Sequence, residues 1–512
     1  MKLNREILRL AVPSILANIT VPLVGMVDIA VVGHLGSSEG FSGAAFIGGI
    51  SVGAMLFDLL YWNFAFLRAG TGGLTAQAYG RNLSGSRTGA KTAPFAPGEV
   101  QNESSGAKSA LFAPGNVDRE IAGILGRALR IALLSGLALI ALQWVVVQAA
   151  FLVVDCTPEV RTLATRYFYI RIWAAPATLS LFALKGWFIG LQDTVRPMLL
   201  DLWVNLCNIL LSLGLGFGLR LPAAGFPSGT LTLLPELGFA GVAWGTAIAQ
   251  WTGLLLALVL ASKHLSLNTL YKVIVQKSNE NFQQSAQSEA VSCQAESGTQ
   301  SLFTLNKDLF LRSVGMIAVY IGFTVLSARL GDQLLAVSAI LMKLLMLFSY
   351  FTDGFAYAGE ALTGRFIGQH SLDGVRSTVR GTFAWSFGLA GAFMLLYGLG
   401  GTPLLHLMTS DASVIQAGRT YIPWLLLMPL IGCPAFAWDG IFIGATASKD
   451  LRNSTLLCAV GFFAVWFVGS WLADASLHLL MAAYFVHLAV RALYLTVRYK
   501  PAVLRPLIGP GN

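Results

Sequence analysis

The sequence predicts an all-α polytopic membrane protein, with twelve transmembrane helices arranged in two pseudo-symmetric six-helix lobes. Of the 512 residues, 55% are hydrophobic and only 12% are charged, which is about half the charged share of a soluble domain. Uncharged apolar runs of more than ~18 residues recur along the chain, and a helix of that length crosses a hydrocarbon core of ~30 Å. A weak repeat between the two halves supports the division into lobes.

The first apolar run follows the basic segment MKLNREILRL and superficially resembles a secretory signal peptide. It is longer than the apolar part of such a peptide, and no A-x-A cleavage site follows it. We therefore expect it to be retained as the first span.

Apolar segments of spanning length occur six times in each half. The predicted spans are residues 7–33, 43–69, 121–150, 161–190, 197–219, 238–262, 306–328, 334–364, 374–400, 414–444, 452–472 and 476–497. They divide the chain into an N-lobe (1–262), a cytoplasmic linker (263–305) and a C-lobe (306–512). Residues 82–117, a predicted insertion, and 276–301 are polar or low in complexity, and we expect both to be disordered.

The connections between spans alternate between basic ones and ones without Lys or Arg. By the positive-inside rule, this alternation places both termini in the cytoplasm. It also accounts for the net charge of +9 without nucleic acid as a partner. The five cysteines are odd in number and lack C-x-x-C spacing, which argues against a disulfide framework and a zinc site.

Four short segments of the first half recur in the same order in the second. NREILRLAVP pairs with NKDLFLRSVG, GHLG with ARLG, LTAQAYG with LTGRFIG, and GWFIG with GIFIG. Both halves start on the same side of the membrane, so the repeat is parallel, with its axis normal to the membrane. This architecture is typical of transporters that alternate access by rocking two bundles around a central site.

A lone carboxylate, Asp28, lies in the first span within VPLVGMVDIAVVGHLG. An unpaired ionised carboxylate there costs at least ~2.5 kcal/mol, so such residues usually face a cavity. A proton, a Na⁺ ion and a cationic substrate would then compete for one charge, which is a simple basis for antiport. The alternative is a structural hydrogen bond to a neighbouring helix.

The fifth span carries a polar face. Asp201, Asn205, Asn208 and Ser212 follow the spacing i, i+4, i+7 and i+11 and fall on one narrow side of a helix. We interpret them as part of the coupling site, with Asn205, Asn208 and Asp28 in one hydrogen-bonded network. A polar seam between helices remains the alternative.

Five other ionisable residues within the spans are secondary candidates for the transport site: Asp58, Asp353, Glu360, Asp439 and Lys343. Asp58 either serves transport or pairs across the bundle, and Lys343 snorkels, pairs with an acid or repels cations. Asp353 and Glu360 share one helix face towards the cytoplasm. Either both line an inner vestibule, or Glu360 is a terminal residue that reaches water. For Asp439, near the end of its span, a structural role is favoured.

Five motifs together resemble the MATE (multidrug and toxic compound extrusion) family, and most closely its DinF-like branch. They are VDIAVVGHLG, FLRAGTGGLTAQAYGR, KGWFIGLQDTVRP, DGFAYAGEALTGRFIG and WDGIFIGAT. The resemblance implies a two-lobed antiporter of the plasma (inner) membrane, without a cofactor, that expels organic, often cationic compounds in exchange for H⁺ or Na⁺.

The resemblance also implies roles for single residues. Asp28 matches the family's coupling aspartate of helix one, and Pro13 matches the proline at which that helix bends. Asn208 matches the asparagine of an N-x-x-x-D pattern, but Ser212 stands where many relatives carry the aspartate. The loss of that carboxylate weakens the case for a Na⁺ site near Asp28 and favours H⁺.

Other classes of function fit less well. GISVG at 49–53 matches a nucleophile elbow but lies within an apolar run rather than at a strand-to-helix turn. The histidines are scattered without an H-E-x-x-H motif, so we expect no enzyme activity, and without a P-loop we do not expect ATP to power transport directly. The main alternative is a flippase for a lipid-linked or oligosaccharide substrate on the same fold. The expected partners are small organic substrates and membrane lipids. The oligomeric state stays open, with a monomer favoured.

Overall fold

The computed structural model describes residues 2–34, 43–90, 119–152, 156–222, 230–264, 297–408 and 412–508. Most of the predicted insertion (91–117) and of the predicted linker (265–296) lies outside these ranges. The described part of the chain is almost entirely helical, as its apolar composition predicts.

The first half holds nine described helices and one hairpin. They are α1 (Lys2–Gly33), α2 (Gly43–Trp62), α3 (Phe66–Ala90), α4 (Arg119–Ala141), α5 (Gln143–Phe151), α6 (Pro158–Arg171), α7 (Ala175–Gly190), α8 (Val195–Phe217), β1 (Leu219–Pro222), β2 (Thr230–Leu234) and α9 (Gly238–Ser262). The antiparallel hairpin β1–β2 directly follows α8.

The second half contains α10 (Ser297–Ala328), α11 (Asp332–Gly368), α12 (Leu372–Met408), α13 (Ala412–Arg419), α14 (Ile422–Gly444), α15 (Ser448–Leu472), α16 (Leu477–Tyr499) and α17 (Arg505–Ile508). Each lobe has its own apolar core. Trp187 and Phe188 lie in a cluster confined to the first half, and Phe348 and Tyr397 in one confined to the second.

Within the described ranges, eleven helical segments are long and apolar enough to cross a membrane. The N-terminal helix α1 is not among these eleven segments, although it is 32 residues long. The eleven segments and α1 together approximately meet the predicted count of twelve. The predicted boundaries need two corrections, and one element was missed. The second span runs on through α3, so helix continues to Ala90 inside the predicted insertion. Helix α10 begins at Ser297, before the predicted end of the linker. The β hairpin was not predicted.

The repeat recurs in the way that helices pack. Gly186 lies against the carbonyl oxygen of Arg68 in the first half, and Gly440 lies against that of Ala356 in the second. One turn further on, Gly190 and Gly444 pack on the carbonyl groups of Gly72 and Glu360. A side chain at any of the four glycines would strike backbone. The segments GWFIG and GIFIG therefore perform the same task in each lobe.

The same turn ends three of these helices. Gln192, His370 and Thr446 each adopt a positive φ, of 66°, 53° and 55°. In each case the following backbone N–H donates to the carbonyl oxygen of a phenylalanine five residues earlier, at 3.0, 2.9 and 3.0 Å. This pattern satisfies carbonyl groups that the helix end leaves open.

Among the described residues, the polar contacts between the lobes lie at the end of the molecule where α1 begins, and they reach as far as the middle of α1. Gln77 Nε2 donates to the Gly444 carbonyl at 3.0 Å, and Gln192 Nε2 donates to that of Ala361 at 2.6 Å. Arg365 forms an ion pair with Glu6, with a nearest distance of 2.6 Å. We call this region, α1, α3 and α7 against α11 and α14, the closed end of the molecule.

His264, just after α9, is buried beside the turn between α7 and α8. The Arg196 guanidinium donates to its Nε2, and the Trp187 ring packs edge-on with the centroids 5.8 Å apart. Burial, reinforced by the Arg196 charge, lowers the pKa of His264 to about 4. The pKa in an unfolded chain is ~6.5.

This difference predicts a pH-dependent stability. Between about pH 6.5 and 4 the unfolded chain binds a proton at His264 that the folded chain does not, so stability falls as the pH falls through this window, by up to ~3 kcal/mol. His264→Gln should flatten the decline in apparent melting temperature. His406→Gln, which alters an exposed histidine, should leave it unchanged. An equal decline in both variants would contradict the assignment.

Candidate functional site

Asp28 is buried, with 7% of its surface exposed, and it faces α8. The Ser212 hydroxyl lies 3.0 Å from Asp28 Oδ1 and 3.3 Å from Asn208 Oδ1. Asn208 Nδ2 donates to Thr246 Oγ1 on α9 at 2.9 Å. The result is a continuous polar chain from α1 through α8 to α9, which we call the Asp28 chain.

Two other members of the predicted polar face lie elsewhere. Asn205 Nδ2 donates to Thr20 Oγ1 on α1 at 2.6 Å and has no hydrogen bond to the Asp28 chain. Asp201 accepts from the Lys185 ammonium group of α7. The structure therefore brings Asn208 and Ser212 to Asp28 but places Asn205 and Asp201 in separate contacts.

The Pro13 position lies inside a continuous α1. Ser14 Oγ donates to the Leu10 carbonyl at 3.1 Å in the adjacent turn. A bend at this proline stays a prediction.

Asp58 and Lys343 face each other across the lobes. Both side chains are exposed although they lie well inside their helices, and they interact electrostatically. Arg171 interacts with both Asp58 and Asp28, and it donates to the Tyr167 hydroxyl at 3.0 Å. We call the space between the lobes at Asp58 and Lys343 the cleft.

The three acids predicted in the C-lobe are surrounded by arginines. Glu360 is fully buried and accepts from Arg68 of α3 at 3.2 Å. Asp439 accepts on one oxygen, Oδ2, from both Arg312, at 2.6 Å, and Arg491.

Asp353 has a different environment from the other two acids. It makes no hydrogen bond or ion pair in the described part of the chain, but it lies within electrostatic range of all three arginines.

Sequence reasoning missed Arg171, Arg312 and Arg491 as functional candidates. Each lies inside a predicted span, at a depth where a charge is costly and usually functional, so that signal was present in the sequence. The described residues hold no group of three or more His, Cys, Asp or Glu side chains that could bind a metal ion.

Comparisons with known proteins give a consistent result. The MatE family model matches residues 116–213 and 309–468. The chain is 31% identical over 497 residues to the DNA damage-inducible protein F of Escherichia coli (strain K12), covering 97% of this chain and 92% of the relative.

Solved structures share the fold. A MATE protein crystallised in the bent conformation superposes with a TM-score of 0.73 at 15% identity, covering 98% of this chain and 96% of the other. An outward-facing multidrug resistance transporter of the same family gives a TM-score of 0.70 at 16% identity, again covering 98% and 96%.

Proposed function

The chain belongs to the MATE family of membrane transporters, and on that premise we propose that it is a secondary active antiporter that exports organic, often cationic compounds in exchange for H⁺. The observation that carries the proposal is the Asp28 chain, in which a buried carboxylate is linked to Ser212 and Asn208.

The Ser212 hydroxyl has a single proton and two acceptors within reach. When Asp28 is ionised, the Ser212 hydroxyl donates its hydrogen bond to the Asp28 carboxylate. When Asp28 is protonated, it donates to Ser212 Oγ instead, and the Ser212 proton turns to Asn208 Oδ1. The chain can thus hold both protonation states with its hydrogen bonds satisfied, as a group that binds and releases a proton in each cycle requires.

The same geometry favours H⁺ over Na⁺ as the coupling ion. A site for Na⁺ needs several oxygen ligands with enough negative charge, and Ser212 supplies a neutral hydroxyl where a second carboxylate would serve. Arg171 adds a fixed positive charge within range of Asp28, and it opposes a metal cation at that place.

Alternating access follows from the arrangement of the lobes. In this proposal both termini lie on the cytoplasmic side of the plasma membrane. The closed end is then the inner gate, and the cleft at Asp58 and Lys343 opens outward. Loss of the closed-end contacts would let the lobes rock and expose the Asp28 chain to the other side.

One observation favours the second candidate, a flippase for a lipid-linked or oligosaccharide substrate. An anionic headgroup requires several basic residues near the central cleft, and the structure brings Arg68 of the N-lobe close to Arg312 and Arg491 of the C-lobe, around Asp353. The cationic-substrate and flippase proposals differ in which compounds move.

The test is export of rhodamine 6G, a fluorescent organic cation, from proteoliposomes under an imposed ΔpH or an imposed ΔNa⁺. We expect movement under ΔpH alone. Movement under ΔNa⁺ alone would contradict the assigned ion. No rhodamine 6G movement under either gradient, with movement of a labelled lipid, would support the flippase.

The Asp28 chain also predicts different effects for two asparagines on α8. Asn208→Ala removes the second acceptor of the Ser212 proton, worth about 1 kcal/mol, and should slow ΔpH-driven export by about three- to tenfold and shift its pH profile. Asn205→Ala removes only the bond to Thr20 and should have a smaller effect with no shift of the profile. Equal effects would contradict the proton switch.

A further inference from the structure

Four helices of the C-lobe and one of the N-lobe bring together a group of charges that the proton site does not use. We call it the arginine cluster. Its members are Arg68 on α3, Arg312 on α10, Asp353, Tyr357 and Glu360 on α11, Asp439 on α14, and Arg491 on α16.

The charges of the cluster balance only if all three acids are ionised. Glu360 is bound to Arg68, and Asp439 is shared by Arg312 and Arg491. Two acids thus hold three guanidinium groups by direct contact. The third acid, Asp353, compensates the remaining charge from a distance, without a hydrogen bond.

Several strong hydrogen-bonding atoms of the cluster lack a partner. They include Nε of Arg312, Nε of Arg491 and Oδ1 of Asp439, all buried. The Arg491 side chain is 1% exposed, so its free Nε–H has no access to bulk water. Buried donors on a charged group are normally satisfied, so these two guanidinium donors are available to an acceptor that the described residues do not supply.

The cluster is not fully enclosed. The side chains of Arg68, Arg312 and Asp439 keep 20%, 14% and 13% of their surface exposed. The Arg68 guanidinium lies over the Tyr357 ring, 4.2 Å from its centroid. An aromatic face beside guanidinium groups suits a molecule with an apolar ring and an anionic group.

We propose that the arginine cluster binds the anionic group of a water-soluble organic substrate, a carboxylate or sulfonate, which takes over from Asp353 as the counter-ion of Arg312 and Arg491. The ligand and the Asp353 carboxylate compete for the same positive charge. A bound monoanion is therefore balanced when Asp353 is protonated and is repelled when Asp353 is ionised.

This proposal deepens the proposed function and rests on it, since it adds a substrate class to the same transporter. The two lobes would then differ in chemistry. A carboxylate in the N-lobe exchanges the proton, and guanidinium groups in the C-lobe hold the acidic part of the cargo. Zwitterionic and anionic organic compounds become substrates besides cations.

The test is binding of fluorescein, an organic anion, to the purified full chain in nanodiscs of zwitterionic lipid. Binding is followed by fluorescence anisotropy at a constant pH at which the dye is ionised. Rhodamine 6G, a cation with the same xanthene ring, is the matched probe. The variants are Asp353→Asn, Arg312→Gln and Arg312→Lys, with Arg452→Gln as control, since Arg452 pairs with Asp308 and with no member of the cluster.

We expect saturable binding of fluorescein to the wild type and to Arg452→Gln. Asp353→Asn should bind fluorescein about tenfold more tightly, Arg312→Gln about tenfold more weakly, and Arg312→Lys should lie between Arg312→Gln and the wild type. Asp353→Asn removes no hydrogen bond and keeps the side-chain shape, so the expected gain of binding cannot come from misfolding.

Three outcomes would overturn the proposal. The first is no saturable binding of fluorescein, and the second is equal binding in wild type and Asp353→Asn. The third is loss of the bound dye when phosphatidylglycerol is included in the nanodisc lipid, which would assign the cluster to a lipid headgroup. Failure here with intact ΔpH-driven rhodamine 6G export leaves the antiport proposal standing. Fluorescein binding without rhodamine 6G export would instead contradict the antiport of organic cations.

Discussion

Asp28→Asn is expected to reduce ΔpH-driven export of rhodamine 6G to less than about a tenth of the wild-type rate while the protein still folds. The amide has the shape of the carboxylate, and its oxygen can still accept from Ser212. It cannot ionise, so it cannot exchange a proton between the two sides of the membrane. Without that exchange, an imposed proton gradient has no group through which to drive the substrate.

The measurement compares wild type and variant in proteoliposomes of equal protein content, with ΔpH imposed. Asp450→Asn is the matched control, because Asp450 is also a buried aspartate but pairs with Arg498 at the end of a helix. Its export rate should stay near that of the wild type. Export that survives in Asp28→Asn would make Asp28 a structural residue and would move the search to Asp58 and Asp353.

The fold and the centre of the proposed proton site were accessible from the sequence because they depend on local signals. Apolar length predicts spans, and the short repeats predict two equivalent lobes. A lone carboxylate in the first span and a polar face on the fifth predict that the two meet. In the structure Asp28 does contact Ser212, and Ser212 contacts Asn208.

The rest of the polar face could not be assigned, since one helix face contacts different neighbours along its length. Asp201 meets Lys185 on α7, Asn205 meets Thr20 on α1, and only Asn208 and Ser212 lie near Asp28. Helical periodicity gives the direction of a side chain but not the helix that lies opposite.

The arginine cluster was hidden for a related reason. Arg68, Arg312 and Arg491 come from three separate spans, and a single charge within a span does not show which residues it meets. Asp439, at the repeat position of Lys185, carries the opposite charge, so the internal symmetry gave no guide to its partners. Only the packing of α3, α10 and α14 against α11, and of α16 against α14, brings the charges together.

Gly80→Val is expected to abolish export although it leaves the Asp28 chain unchanged, because the added side chain prevents the two lobes from coming together at the closed end. Gly80 of α3 packs on the carbonyl group of Arg365, and a Cβ there would also lie 3.0 Å from the Gly368 Cα. Gly368 packs in return on the carbonyl group of Gln77. These contacts join the two lobes, so a side chain destabilises only the state in which this end is closed. Overpacking of about 2 kcal/mol would lower the population of that state about thirtyfold.

Spin labels at the exposed positions Lys2 and Asp373, in a background without reactive cysteines, report the separation of the lobes at this end. Gly80→Val and Gly368→Val should both lengthen that distance and stop export, since the contact is reciprocal. Gly388→Val adds the same side chain where nothing lies within 4 Å of a Cβ, and it should change neither. If Gly80→Val stopped export with the distance unchanged, the glycines would serve packing within each lobe, and alternating access would need a different hinge. If it lengthened the distance and export continued, closure at this end would not be a step of the transport cycle.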